Sequence, residues 1–276
     1  MRKNTKKALS RLLIGISRVS LLGTPLAESS QAAYAAEVSG GDISGNDSDK
    51  PGDAGDVSGN DISAGDVSEG DILPVRVAEE AVRGEMKGES LDFSTWEKAV
   101  AYVNQKGSRK TKTHIYLQQD VESSVKTLVF PKYPLTMHGN GYTLHFTGTT
   151  VSLPADIVLK NMLLETSAKG GFNLNASGSL TMDGVNEKTV PEGRYGIKEI
   201  RGAASKTLTY LDKNVENSIT GFGTVCFGAD TEVSAVLTLK KVQVAAGKTI
   251  RLQNTFKADR IRVGEMAELM LAGTKT

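Results

Sequence analysis

The sequence predicts an all-β protein wound as a solenoid, with short strands stacked turn upon turn around one apolar core. Three observations carry this. Brief alternating runs recur from residue 114 onward, such as His114-Ile-Tyr-Leu117, Ile157-Val-Leu159, Phe172-Asn-Leu174 and Leu180-Thr-Met182, the period-two pattern of half-buried strands. Gly, Asn, Ser or Asp stands in nearly every gap between them, as in Gly170-Gly171, Ser177-Gly178 and Asp183-Gly184. Near the C-terminus the spacing itself repeats: Val242-x-Val244 and Ile250-x-Leu252 return as Ile261-x-Val263 and Leu269-x-Leu271, each position moved by nineteen residues. A fixed offset carrying four apolar positions marks equivalent stacked units. Long helical patterns between strands are missing, which disfavours a doubly wound α/β sheet.

In chain order, the first segment is a leader. Residues 1–35 carry six Lys/Arg against Glu28. A basic start (Arg2, Lys3, Lys6, Lys7) is followed by apolar runs at 12–16 and 19–22, then by Ala33-Tyr34-Ala35. This order predicts a secretory signal peptide cleaved before Ala36, although Arg18 interrupts its apolar region. No run approaches the ~20 apolar residues that a membrane span needs. The lone Cys226 excludes an intrachain disulfide.

Residues 36–74 hold ten acids and only Lys50. Gly41-Asp-Ile-Ser-Gly45 recurs as Gly55-Asp-Val-Ser-Gly59, Asn60-Asp-Ile-Ser-Ala64 and Gly65-Asp-Val-Ser-Glu69. One small aliphatic per five residues cannot offset the entropy of ordering the other four, so a disordered, self-repelling spacer is expected. Calcium is the sharper alternative, because spaced carboxylates suit that ion. The spacing, however, does not match the nine-residue calcium repeat. The rest of the chain has a net charge of +5 with both signs interspersed and no dense basic cluster, which argues against a nucleic-acid partner.

The folded region is expected to open near Val75-Arg-Val77 and to extend over 75–276. One helix is predicted at 94–106, with Ser94 and Glu97 as a capping box and Gly107 as its stop. Trp96, Ala99, Val100 and Val103 form one apolar stripe. Its expected task is to cover the open end of the solenoid, which would otherwise expose core and strand edges. Leu135/Met137 and Leu144/Phe146 then flank the Gly139-Asn140-Gly141 corner. Such a corner usually makes a hairpin, but its repetition favours a coil. Residues 186–235 fit the pattern least well; Arg194–Ile200 and Leu208–Leu211 read as rungs or as an inserted excursion.

Met137-His-Gly-Asn-Gly-Tyr-Thr-Leu144 resembles the recurrent aliphatic-x-Gly-Asn-Gly-x-Thr-aliphatic turn of right-handed parallel β-helix proteins, the pectate-lyase-like superfamily. The helix followed by Ile115-Tyr-Leu-Gln-Gln-Asp120 is similar to their N-terminal cap and first rung, and the likeness covers roughly residues 90–276. The leader with its acidic repeat resembles secreted surface proteins of gut Gram-positive bacteria. The likeness implies a right-handed parallel coil. In members that cleave polygalacturonate it also implies clustered aspartates on one face, with an Arg or Lys nearby.

The residues themselves give no such cluster. Asp156, Glu165, Asp183 and Glu187, with Arg194 as cation, are the available candidates, but their spacings of 9, 18 and 4 are not a rung repeat. His138 and His145 flank the corner on the parity opposite to Met137 and Leu144, and both are expected to face solvent. His114 lies well upstream, and two imidazoles alone do not define a zinc site. Cys226 reads as a buried small hydrophobe. Tyr133, Tyr142 and Tyr195 could stack on sugars where exposed. No glycine-rich turn forms a phosphate loop.

The sequence therefore predicts no catalytic, cofactor or metal residues. The expected protein is exported to the cell surface or medium. It would present a rigid face to extracellular glycans or surface proteins, as an adhesin-like or structural module. The alternatives are a polysaccharide lyase or glycoside hydrolase acting on uronate-containing polymers, and a passive spacer. Leu269-Met-Leu271 is followed by no capping helix and no Leu-Pro-x-Thr-Gly signal, so the N-terminal part of a longer protein with further domains, or a truncated reading frame, is expected.

Overall fold

In the computed structural model, residues 72–80, 90–109 and 112–271 are described. The leader, the acidic repeat apart from 72–74, and 272–276 lie outside them. The chain forms a parallel β-solenoid of about 8 turns. Each turn visits up to three faces, and side chains alternate between the shared core and the outside.

Strands β1 (Val75–Glu80) and β2 (Leu91–Phe93) precede helix α1 (Trp96–Lys106). The first turn then runs through β3 (Lys112–Leu117), β4 (Val121–Ser123) and β5 (Thr127–Val129). The second repeats this as β6 (Leu135–His138), β7 (Thr143–Phe146) and β8 (Thr150–Leu153). In the third, β9 (Ile157–Thr166) bends through two faces before β10 (Phe172–Ala176). The fourth has only β11 (Leu180–Val185) and β12 (Ile197–Arg201). Next come β13 (Thr207–Tyr210), β14 (Asn214–Val215) and β15 (Ser218–Thr220), then β16 (Thr224–Phe227) and β17 (Thr231–Val233). The last turns are β18 (Leu237–Val244), β19 (Thr249–Leu252), β20 (Phe256–Val263) and β21 (Glu268–Leu271).

The first face is the continuous ladder β3-β6-β9-β11-β13-β16-β18-β20. The third is β5-β8-β10-β12-β15. The second is broken: β4, β7 and the end of β9 form one part, and β14-β17-β19-β21 the other. Turn length explains the break. Successive strands of the first face are offset by 22 residues at Leu135↔Ile157 and by 19 at Val242↔Ile261, but by 28 at Leu180↔Leu208. The fourth turn holds extra chain at 186–196 where the second face lacks a strand. Residues 186–235 are thus both rungs and excursion.

The nineteen-residue offset appears directly as register, with Val242↔Ile261, Val244↔Val263, Ile250↔Leu269 and Leu252↔Leu271 paired in parallel. Inward residues such as Ile115, Met137, Leu159, Met182 and Leu208 stack into one continuous core. The Gly139-Asn140-Gly141 corner is not a hairpin, since β6 and β7 each pair with other turns. Asn140 and Gly141 take φ of 54° and 82°, and a Cβ at Gly139 would stand 2.1 Å from the Cβ of Met162. Here glycine is required by the close approach of the next turn as much as by φ.

Helix α1 closes the N-terminal end, but two details differ from expectation. It starts at Trp96 rather than at 94, and the N-cap is Thr95, whose hydroxyl accepts from the Lys98 N–H at 3.3 Å. Glu97 turns away from any capping box to accept from the Ser123 hydroxyl at 2.5 Å, tying helix to first turn. Gly107 ends the helix with φ −64°, not in the left-handed region; a Cβ there would meet Val103 O and the Tyr133 ring. Trp96 packs edge-on to Phe130 at 4.8 Å, and its indole N–H donates to Val129 O at 3.2 Å. The edge of the first face is covered by β1, which runs antiparallel to both β2 and β3.

Removing the Trp96 ring deletes a fully buried aromatic and leaves Val129 O unpaired at the end of the core. Trp96→Ala should therefore destabilise the protein by about 3–5 kcal/mol, measured as a lowered urea midpoint.

Candidate functional site

Parallel register turns an outward-facing position on one turn into a column on the next. On the first face this aligns Asp92, Arg76, Tyr116, His138, Lys160 and Asp183 in one row, each paired with its neighbour across the ladder. Strand spacing sets a step of about 4.8 Å between them. Arg76 grips Asp92 through two hydrogen bonds of 2.7 and 2.9 Å. The Tyr116 and His138 rings stack at 4.4 Å, 8° from parallel, and His114 Nδ1 lies 2.9 Å from His138 Nε2. Burial, with His114, Lys160 and Lys112 nearby, lowers the pKa of His138, which keeps the imidazole neutral. His114, distant in sequence, is therefore the immediate neighbour of His138 in space.

An open groove of about 320 Å³ follows the corner beside this row, lined by His138, Asn140, Lys160, Asn161, Asp183 and Gly184. Asn140, Asn161 and Gly184 hold positive φ on successive turns, so the groove floor is backbone fixed by the ladder. The Asn140 carboxamide donates to Leu117 O at 2.9 Å. One cation, Lys160, and one carboxylate, Asp183, are thus presented from a rigid floor.

A second cluster lies on the second face. Register aligns Glu122, His145 and Glu165 as an outward row. His145 is nevertheless 3% exposed and Glu165 4% exposed, contrary to the expected solvent-facing His145. The cause is the 186–196 excursion. Tyr195 exchanges both backbone hydrogen bonds with Thr166 at 2.9 Å, and Arg194 lies over the row. Its Nη1 is 2.7 Å from His145 Nδ1 and also touches Nε2. Its Nη2 is 3.5 Å from Glu122 and its Nε 3.9 Å from Glu165. Glu165 Oε2 has no hydrogen-bond partner. Burial raises the Glu165 pKa, opposed by Arg194, and lowers that of His145.

Of the carboxylates the sequence offers, only Glu165 meets Arg194. Asp156 accepts from the Ser179 N–H at 2.7 Å and lies 3.5 Å from Lys206, Asp183 borders the groove, and Glu187 is exposed on the excursion. Cys226 is half-buried on the outer side of the first face rather than in the core, because Val225 and Phe227 take the inward parity. Tyr142 is exposed, while Tyr133 and Tyr195 are half-buried. Among the described residues, no three His, Cys, Asp or Glu side chains are grouped to hold a metal ion, and the calcium reading concerned the repeat outside them.

Asp212, which the sequence did not single out, sits under the break in the second face, 1% exposed. Its Oδ1 accepts from the N–H groups of Gly184 and Val185 at 2.5 and 3.1 Å, while Oδ2 has no partner. Burial outweighs these bonds and pushes its pKa from 3.8 up to about 6. Between these values the folded protein holds a proton that the unfolded chain has released. Stability from this group is therefore present at low pH and lost as pH rises through about 6. Asp212→Asn should remove that dependence. Relative to wild type, the variant is expected to gain about 2–3 kcal/mol between pH 4.5 and pH 7.5 in paired urea titrations.

No protein-family model matches the chain, and neither curated proteins nor solved structures give a match.

Proposed function

We propose that this is an exported, non-catalytic β-solenoid, adhesin-like or structural, whose first face binds an extracellular glycan or surface protein. The observation that carries the reading is the Tyr116–His138–Lys160–Asp183 row beside an open groove. Hydroxyl-rich polymers are recognised by ring surfaces together with donors and acceptors in fixed positions, and a rigid ladder repeats such contacts along its length. Exposed or half-buried Lys112, Lys160, Lys241, Arg260 and Arg262 outnumber Asp183 and Asp259 on the ladder strands of this face, which favours an acidic partner. Export rests on the basic leader, its apolar runs and Ala33-Tyr34-Ala35. No helix among the described residues is long and apolar enough to cross a membrane.

The second reading, a uronan-cleaving enzyme, draws on one observation: Glu165, its pKa raised, beside Arg194. A buried carboxyl of that kind can serve as a general acid. Against it, the excursion covers Glu165 and the other candidate carboxylates stand elsewhere.

The full chain without its leader should be retarded by polygalacturonate or another soluble uronan in affinity electrophoresis, with and without calcium. Tyr116→Ala/Lys160→Ala should abolish the retardation while leaving the urea midpoint nearly unchanged. Unsaturated products or new reducing ends would overturn the non-catalytic reading in favour of the second.

A further inference from the structure

The 186–196 excursion is attached to the coil by few contacts. Most of 187–193 is exposed. Its two ends are tied to the coil, Asn186 through its N–H to Met162 O and its carboxamide to Leu164, and Gly196 through its O, which accepts from the Phe172 N–H. Between them the anchors are the Tyr195–Thr166 backbone pair, Lys188 Nζ donating to Gly141 O at 2.5 Å, and Arg194 over the Glu122–His145–Glu165 row. The Arg194 contact needs a particular protonation state. A guanidinium has donors only, so at least one of the two ring nitrogens that its Nη1 touches must present a lone pair. Protonated His145 has no such lone pair and would bring a second positive charge to the same distance.

We propose that 187–195, between the fixed ends Asn186 and Gly196, is a pH-sensitive strap: it closes over the second face while His145 is neutral and is released when His145 takes a proton and Arg194 loses its acceptor. Release uncovers His145 and Glu165 beside Glu122, which is already exposed, as an open row. The charged groups facing His145 are Glu122 from β4, Glu165 from β9 and Arg194 from the strap. The two carboxylates favour the imidazolium once it forms, taking over the ion pairing that they share with Arg194 in the closed state. The lowered pKa of His145, caused mainly by its burial, sets the direction: closure persists through the ordinary histidine range and opening needs acidification below it. The reading is independent of what the first face binds.

Amide hydrogen exchange on the full chain tests this, read at Thr166 and Tyr195 and corrected for the intrinsic pH dependence of exchange. Protection at both should fall about tenfold or more between pH 7.5 and pH 5.0, while Val242 and Val244 stay protected. In His145→Gln, which keeps an acceptor and cannot charge, protection should persist at pH 5.0. In Arg194→Met it should be low at both pH values. The proposal is overturned by wild-type protection that does not change with pH, by loss shared with Val242 and Val244, by Arg194→Met retaining protection, or by His145→Gln losing protection at pH 5.0 as wild type does.

Discussion

Every feature of this protein depends on the backbone ladder between successive turns. In a parallel coil each strand both donates to and accepts from the strands on either side, so no turn is satisfied until the next is in place. That requirement fixes register, and register in turn sends Ile115, Met137, Leu159, Met182 and Tyr210 inward in one stack. It equally sends Tyr116, His138, Lys160 and Asp183 outward in another. Core and candidate binding row are thus two sides of the same pairing, and a one-residue slip would exchange them.

The constraint is most visible where it must be met without a strand. The N-terminal edge is closed by β1 running antiparallel to β3, and the core end by Trp96 of α1. In the fourth turn the second face has no strand at all, and Asn186 stands in. Its carboxamide oxygen accepts from Leu164 N at 2.8 Å, and its amide donates to Leu164 O at 3.1 Å. One side chain thereby supplies what the missing neighbour would have given to β9.

These arrangements were legible in the sequence to different depths. The coil could be read because alternation and a fixed offset are local and countable, and the Val242-to-Ile261 repeat maps onto real pairing. The cap helix could be read from the Trp96 stripe, though its exact start depended on whether Ser94 or Thr95 met the backbone. The histidines could not be placed. Parity correctly directs His138 and His145 outward, but parity does not say what lies over them. Covering His145 required Arg194 to return from forty-nine residues away, across a turn whose length breaks the repeat. The pairing of Tyr116 with His138 was recoverable in principle from a 22-residue turn. That length emerges only once the ladder is known, because the turns vary.

The substitution made by Asn186 also bears on what this scaffold can carry. A coil normally resists insertions, since an added segment strips hydrogen bonds from both adjoining rungs. Where a carboxamide already serves the exposed edge, chain can leave and re-enter at no such cost, and its length is set by the surface rather than by the rungs. The fourth turn is therefore the natural place for grafted cargo: a peptide introduced between Asn186 and Arg194 would be displayed from the wall of the coil without disturbing the winding on either side.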